Sequence, residues 1–285
     1  MENNSLQKRI WKNWSFFLLA VGWSWLFWIP LLFLKLVFNT MPGIILYGIG
    51  GLGPFLSAIY LVRTTRQKDE RREFWRRVVD FKRVSWRWLF ASLFIPPLIA
   101  IFSVLVSMVF STEYTNWQPM WLLIQNPVMV IFFLASTLLF GPLPEEIGWR
   151  GYGLESLQKK YSAMQSSLIV GFFWVTWHIP LFLTKDSGFA AAYPPFSPGF
   201  WLWAISLLSI SIIMTWIFNH TEKSTLTAII FHFSMSATSG FFSFQPQMQS
   251  IMLCGFILFA LFVLAVSRSS LSPKTPAHAN LRSAA

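Results

Sequence analysis

Two adjacent glutamates, Glu145 and Glu146, follow an apolar run that ends at Leu139 and Phe140, in the segment Pro144-Glu145-Glu146-Ile147-Gly148-Trp149-Arg150. Only 11 of the 285 residues are acidic, and two of them stand side by side at the lip of a hydrophobic helix. An ionisable residue at membrane depth is costly and marks a functional site by default. Two further polar departures interrupt apolar runs downstream, Trp174-Val175-Thr176-Trp177-His178 and His232-Phe233-Ser234-Met235-Ser236. A carboxylate paired with a histidine can activate water as a general base. A second histidine beside a hydroxyl can donate to the oxyanion of a tetrahedral intermediate. Amide hydrolysis needs those two functions together.

Spacing refines the roles. Glu146 and Arg150, Trp174 and His178, and His232 and Ser236 are each four apart, so each pair shares a helix face. Glu145 precedes Glu146 by one residue and points about 100° away. Glu146 is therefore expected to pair with Arg150 as a structural clamp, leaving Glu145 to face the bundle interior. The same atoms suit metal binding, since two histidines and a carboxylate (Glu145, His178, His232) are a common zinc set. The His-Glu-x-x-His helix motif is absent, so no metal follows from spacing.

Each residue alone has a plain structural explanation. The glutamates could cap the helix that follows Pro144, either histidine could bond across a helix bundle, and Ser236 could bond back to the carbonyl of residue 232. The coincidence of three such segments favours one shared polar site. His220, in a connection, and His278, in the tail, take structural readings. Trp177 is read as packing, and Lys35 as snorkelling to an interface.

The elements that must position these residues are membrane helices. The chain is 55% hydrophobic and 12% charged, half the charge of an ordinary soluble domain. Eight stretches approach the roughly 20 apolar residues of a span: about 14–34, 43–62, 88–110, 126–140, 163–183, 200–218, 226–244 and 248–266. The expected fold is all-α, a polytopic membrane bundle of about eight transmembrane helices in one domain over residues 1–266. A polar, proline-bearing tail, 267–285, is expected to be disordered and cytoplasmic.

Alternating the connections puts all 22 basic residues except Lys35 and Lys185 on the side of both termini. That asymmetry predicts that both termini are cytoplasmic, in a multi-pass protein of the cell membrane, here a bacterial plasma membrane. It also explains the net charge of +11 without nucleic acid, which is not an expected partner. Membrane lipids are, and residues 63–87, with Phe74, Trp75, Val78, Val79 and Phe81, read as a basic amphipathic connector on the anionic inner leaflet. The N-terminal apolar segment reads as a retained anchor, not a cleaved signal. Gly48, Gly50, Gly51 and Gly53 read as close helix packing, not a nucleotide loop. The single cysteine, Cys254, reads as a small buried hydrophobe.

Glu145-Glu146-Ile147-Gly148-Trp149-Arg150 resembles the Glu-Glu-x-x-x-Arg motif of the CAAX-protease and bacteriocin-processing family, intramembrane endopeptidases similar to Rce1-type prenyl-protein proteases. The order of the other motifs agrees: an aromatic-x-x-x-His helix, then a His-x-x-x-polar helix. The resemblance covers roughly residues 142–236, with a protease-like core at about 120–245. It implies that Glu145 and His178 activate water, that His232 and Ser236 form the oxyanion site, and that the substrate is a membrane-associated or lipidated peptide or protein. A glutamate mechanism of this kind requires no cofactor, though zinc stays open. Trp174 stands where the family usually has phenylalanine, and Ser236 where it often has asparagine. Serine is the shorter donor, so an oxyanion contact there would be weaker or shared with water. The competing readings are a non-catalytic binding or immunity protein of the same fold, and a proton-coupled transporter. A transporter would be expected to show a repeat between its halves, which this sequence lacks.

One geometric tension accompanies the eight-span reading. At 1.5 Å per residue, His178 lies about 22 Å along its helix and His232 about 10 Å along its own, while the glutamates sit at the inner end of the fourth span. For them to meet, helices must tilt, a boundary must differ, or Pro142 and Pro144 must bend the glutamate segment back into the bundle.

Overall fold

A computed structural model describes residues 2–34, 40–110, 117–184, 187–241 and 246–267. Among them every regular element is helical. The chain opens with α1 (Glu2–Phe33), then α2 (Met41–Gly51), α3 (Gly53–Thr65), the short amphipathic α4 (Lys68–Val79) and α5 (Trp86–Phe110). α6 (Gln118–Gln125), α7 (Pro127–Leu139) and α8 (Pro142–Gly148) follow, then a π-helical stretch at Trp149–Leu154 and one further turn, α9 (Glu155–Leu157). α10 (Ala163–Leu183), α11 (Gly188–Ala192), α12 (Pro198–His220), α13 (Thr225–Phe241) and α14 (Pro246–Val266) complete the bundle.

Among the described residues, seven segments are long and apolar enough to cross a membrane. The eighth expected span, 226–244, lies partly outside the described residues; its described part is α13, 17 residues long. α12 is the central helix: 72% of its most apolar window is buried, against 22% for the peripheral α5. It packs between α10 and α14.

Local chemistry sets the boundaries. Ser162 and Gln165 form a reciprocal capping box that starts α10, which satisfies two otherwise orphaned N–H groups. Asn126 and Ser197 cap α7 and α12 through their side-chain oxygens. The second expected span is one apolar segment broken at Leu52, where α3 restarts with Pro54 in its first turn. Two glycines of the cluster there allow close approach. A β-carbon on Gly50 would meet the Trp28 ring at 2.1 Å, and one on Gly53 would meet Ser24 Oγ at 2.2 Å. Gly48 and Gly51 face open space.

The fourth span needs correcting. It does not stop near Phe140 but runs from Pro127 to Leu157, 31 residues with a break at Gly141. An apolar count ends early because Glu145, Glu146 and Arg150 interrupt it, yet these charges lie inside the bundle against each other. Pro142 and Pro144 fall in the first turn of α8, where proline costs no intrahelical hydrogen bond. The glutamates consequently lie within this long apolar segment, packed against α3 and α13, and α13 brings His232 to Glu146.

Two smaller expectations also change. Cys254 is exposed on the outer face of α14, not buried, because the inward stripe there is formed by Met252, Leu253 and Phe256. α4 is a connector with two faces. Phe74 and Val78 are buried against the bundle, whereas Trp75, Val79 and Phe81 are exposed. Lys35, Lys185, His278 and the tail beyond Ser267 lie outside the described residues.

Candidate active site

The segment carrying the two glutamates is held from three sides. Gly148 touches α3 so closely that a β-carbon there would lie 2.5 Å from Pro54 Cβ. Trp149 is fully buried, edge-on to Phe16 and Trp177 with centroids 5.6 and 6.0 Å away. The π-helical stretch then begins, a conformation that recurs at functional positions.

Glu146 and Arg150 are both completely buried, and Arg150 Nη1 donates to Glu146 Oε1 at 2.8 Å and Oε2 at 3.0 Å. This is the pair expected from the spacing. A second partner was not expected: His232 Nδ1, from α13, lies 2.8 Å from Glu146 Oε1. No sequence signal connects residues 86 positions apart. Glu146 is thus the junction between the glutamate segment and α13.

Glu145 points elsewhere. Its Oε2 accepts the indole N–H of Trp174, from α10, at 2.8 Å. Its Oε1 has no hydrogen-bond partner among the described residues. Tyr47, on α2, lies close enough to feel its charge. The sequence reading missed Tyr47, whose one signal is a phenol inside an apolar run.

His178 follows Trp174 by one turn, and its Nδ1 lies 2.7 Å from the Trp174 carbonyl oxygen. A carbonyl only accepts, so Nδ1 carries the proton and the neutral ring presents Nε2 as a lone-pair acceptor. The same logic applied to His232 puts a proton on Nδ1 toward Glu146. Its Nε2 can donate when the ring is protonated, with Glu146 as counter-ion. No hydrogen bond joins Glu145 to His178 among the described residues. Trp174 stands between them.

His178, His232 and Ser236 line one cavity of about 380 Å³. Trp203, Leu207, Ile210, Met252, Leu253 and Phe256 supply its apolar walls. Ser236 makes no hydrogen bond among the described residues, so the bond back to the carbonyl of residue 232 is absent. A second hollow of about 360 Å³, at Tyr47, Gly188, Phe189, Ala192 and Tyr193, shares Phe189 and Tyr193 with the first. Burial pushes the Tyr193 phenol up to about 12, which keeps an uncharged O–H at this border at neutral pH. Among the described residues no three His, Cys, Asp or Glu side chains converge as a metal ion would need. Glu145, His178 and His232 therefore are not brought together as a ligand set.

The remaining histidine behaves as expected of a structural one, with His220 bonded to the Trp216 carbonyl and stacked on Trp88. Trp177 does more than pack: its indole N–H donates to Ser24 Oγ at 2.5 Å, which ties α10 to α1.

The helical bundle thus buries a carboxylate pair and two histidines, and both histidines line an apolar-walled cavity with Ser236. Residues 127–238 match the family described as Type II CAAX prenyl endopeptidase Rce1-like. Over 191 residues, 65% of this chain and 67% of the relative, the sequence is 29% identical to CAAX prenyl protease 2 of Methanococcus maripaludis. The match over residues 127–238 and the likeness to a curated CAAX protease support an intramembrane endopeptidase function. A non-catalytic binding protein and a proton-coupled transporter are not favoured.

Proposed function

We propose that this endopeptidase hydrolyses a peptide bond near the end of a prenylated, membrane-associated protein, with Glu145 and His178 activating the water. The observation that carries this reading is the different fate of two adjacent carboxylates. Glu146 is consumed by Arg150 and His232, while Glu145 keeps one oxygen without a hydrogen bond among the described residues and is tied by the other to Trp174, a residue of the cavity wall. Glu145 Oε1 and His178 Nε2 are the two acceptors available to a water molecule. That water loses a proton to Glu145 as it attacks the scissile carbonyl carbon. The oxyanion accepts hydrogen bonds from protonated His232 and from the Ser236 hydroxyl. Glu145 then returns the proton to the departing amine, and the carbon–nitrogen bond breaks. The apolar cavity walls suit a lipidated or hydrophobic segment next to the cleaved bond, in keeping with the name of the archaeal relative.

We also propose that both termini face the cytoplasm, since the basic residues of α4 and its flanks then meet the anionic leaflet. Reporter fusions at Gln67 and Lys160 should read inside and one at Ser187 outside. An outside signal at Gln67 would reverse the topology.

The function is tested by incubating the purified full chain in lipid nanodiscs with a farnesylated CAAX-type peptide and its unprenylated twin. Cleavage of the prenylated peptide alone is expected. Glu145→Gln and His178→Ala should each lower it at least about 10²-fold, and the double variant should lose little more, because residues that act as a unit are not additive. Full cleavage by Glu145→Gln would remove Glu145 from the chemistry.

A further inference from the structure

Taking the reading of Glu145 as the water-activating base, we infer that Trp174 is the positioning residue of this site: its indole N–H fixes the Glu145 carboxylate, and Arg150 holds the indole in place. Four contacts meet at this one residue. The N–H donates to Glu145 Oε2 at 2.8 Å. The Arg150 guanidinium lies over the ring at 4.4 Å from its centroid. The ring stands edge-on to His232 at 5.1 Å. Its backbone carbonyl engages His178 Nδ1 at 2.7 Å. The side chain is 1% exposed, so its rotamer is fixed by packing.

The chemistry of the indole suits this task. Its N–H donates only and does not titrate in any accessible range, so it can hold a carboxylate without competing for the proton that the carboxylate must take up. It binds one oxygen and leaves the other without a hydrogen bond among the described residues. Glutamate has three side-chain torsions, and a hydrogen bond from a rigid, buried ring removes most of that freedom. Arg150 extends the control. Held by Glu146 on one side, it stacks on the Trp174 face by attraction to the ring quadrupole. The Glu146–Arg150 clamp therefore reaches Glu145 through the indole, across two elements of the bundle. The other groups that face Glu145 are Glu146 and Arg150 on its own segment, His232 on α13 and Tyr47 on α2. Among the described residues, only the indole gives its carboxylate a hydrogen bond.

The test separates the N–H from the ring face. Trp174 is replaced by phenylalanine, by benzothienylalanine, which keeps the bicyclic face and lacks the N–H, and by a ring-fluorinated tryptophan, which keeps the N–H and weakens the face. With the farnesylated CAAX peptide, Trp174→Phe and the benzothienyl variant should lower kcat about 10- to 100-fold, the weight of one hydrogen bond to a charged group. KM should change by less than about threefold, and the unfolding midpoint should hold. Fluorotryptophan, which keeps the N–H and loosens the hold of Arg150, should lower kcat by a smaller factor than the benzothienyl variant, and an unchanged kcat would remove Arg150 from the positioning. A benzothienyl variant with wild-type kcat would overturn the role of the N–H. Equal losses of kcat and unfolding midpoint in all three variants would reduce Trp174 to packing. An arm independent of activity follows the nitrogen-15-labelled Trp174 indole signal, which should shift upfield in Glu145→Gln, when a charged acceptor becomes a neutral one. An unmoved signal would refute the hydrogen bond itself. Full cleavage by Glu145→Gln together with a shifted signal would instead leave the bond intact and remove the catalytic reading of Glu145.

Discussion

Among the described residues, two buried clusters bring arginine to glutamate, and they are built differently. In the first, Glu146 and Arg150 are wholly buried mid-span, and His232 completes the carboxylate's partners. In the second, at the ends of α3 and α9, Arg66 meets Glu155 at 2.5 Å and Lys159 meets the same carboxylate at 3.2 Å. There Arg66 also lies over the Tyr152 ring at 4.8 Å, and Arg77 stands nearby with its basicity lowered by burial. The second cluster shares one acid among several cations, one of them, Lys159, largely exposed. Loss of one cation leaves others in place. The mid-span cluster has no such reserve: removing Arg150 leaves a buried carboxylate facing only a histidine. An ion pair at a helix end ties elements together, whereas one at membrane depth must be complete or it is a liability.

That contrast can be broken by mutation. The largest effect is expected from Arg150→Ala, which should cost about 3–5 kcal/mol of stability, the usual consequence of breaking a buried pair. A thermal midpoint in detergent equal to wild type, with cleavage abolished, would make Arg150 catalytic and not structural. Gly148→Ala comes next. Its β-carbon would meet Pro54 at 2.5 Å, so α3 and α8 must separate, at about 1–3 kcal/mol for overpacking. Gly51→Ala, with open space around it, is the control and should leave the midpoint in place. Arg66→Ala should cost less than Arg150→Ala, about 1–2 kcal/mol, because Lys159 still serves Glu155. A larger loss than for Arg150→Ala would erase the distinction between the clusters. The smallest change belongs to Arg76→Ala. That side chain is 57% exposed and its contact to Asp80 is 3.5 Å, so its removal should fall within about 0.5 kcal/mol.

Where the sequence was legible, a local rule governed. The Glu146–Arg150 pair is an i,i+4 relation, and the 100° offset of Glu145 follows from helix geometry alone. The apolar blocks announced the membrane bundle for the same reason. The partner of Glu146 on α13 was not legible, since His232 is brought to it by the packing of α8 against α13 and by nothing near either residue in the chain. Trp174 reads in sequence as an aromatic neighbour of His178. Its bond to Glu145 depends on which way an indole turns in a packed interior. The fourth span was cut short at Phe140 because hydropathy counts Glu145, Glu146 and Arg150 as three charges, while the fold presents them as a mutually compensated group. Cys254 was misplaced for the converse reason: an apolar run around a residue does not say which face of the helix it occupies.

The most direct measurement compares the two glutamates in one experiment. Glu145→Gln and Glu146→Gln are purified side by side, and each is followed by thermal unfolding and by cleavage of the farnesylated CAAX-type peptide. Glu145→Gln should unfold within a degree or two of wild type yet cleave at least about 10²-fold more slowly. Glu146→Gln should unfold at a clearly lower temperature, having lost the charge that Arg150 and His232 share. The reverse pattern, with a stable but inactive Glu146→Gln and an unstable but active Glu145→Gln, would contradict the division of labour between the two carboxylates.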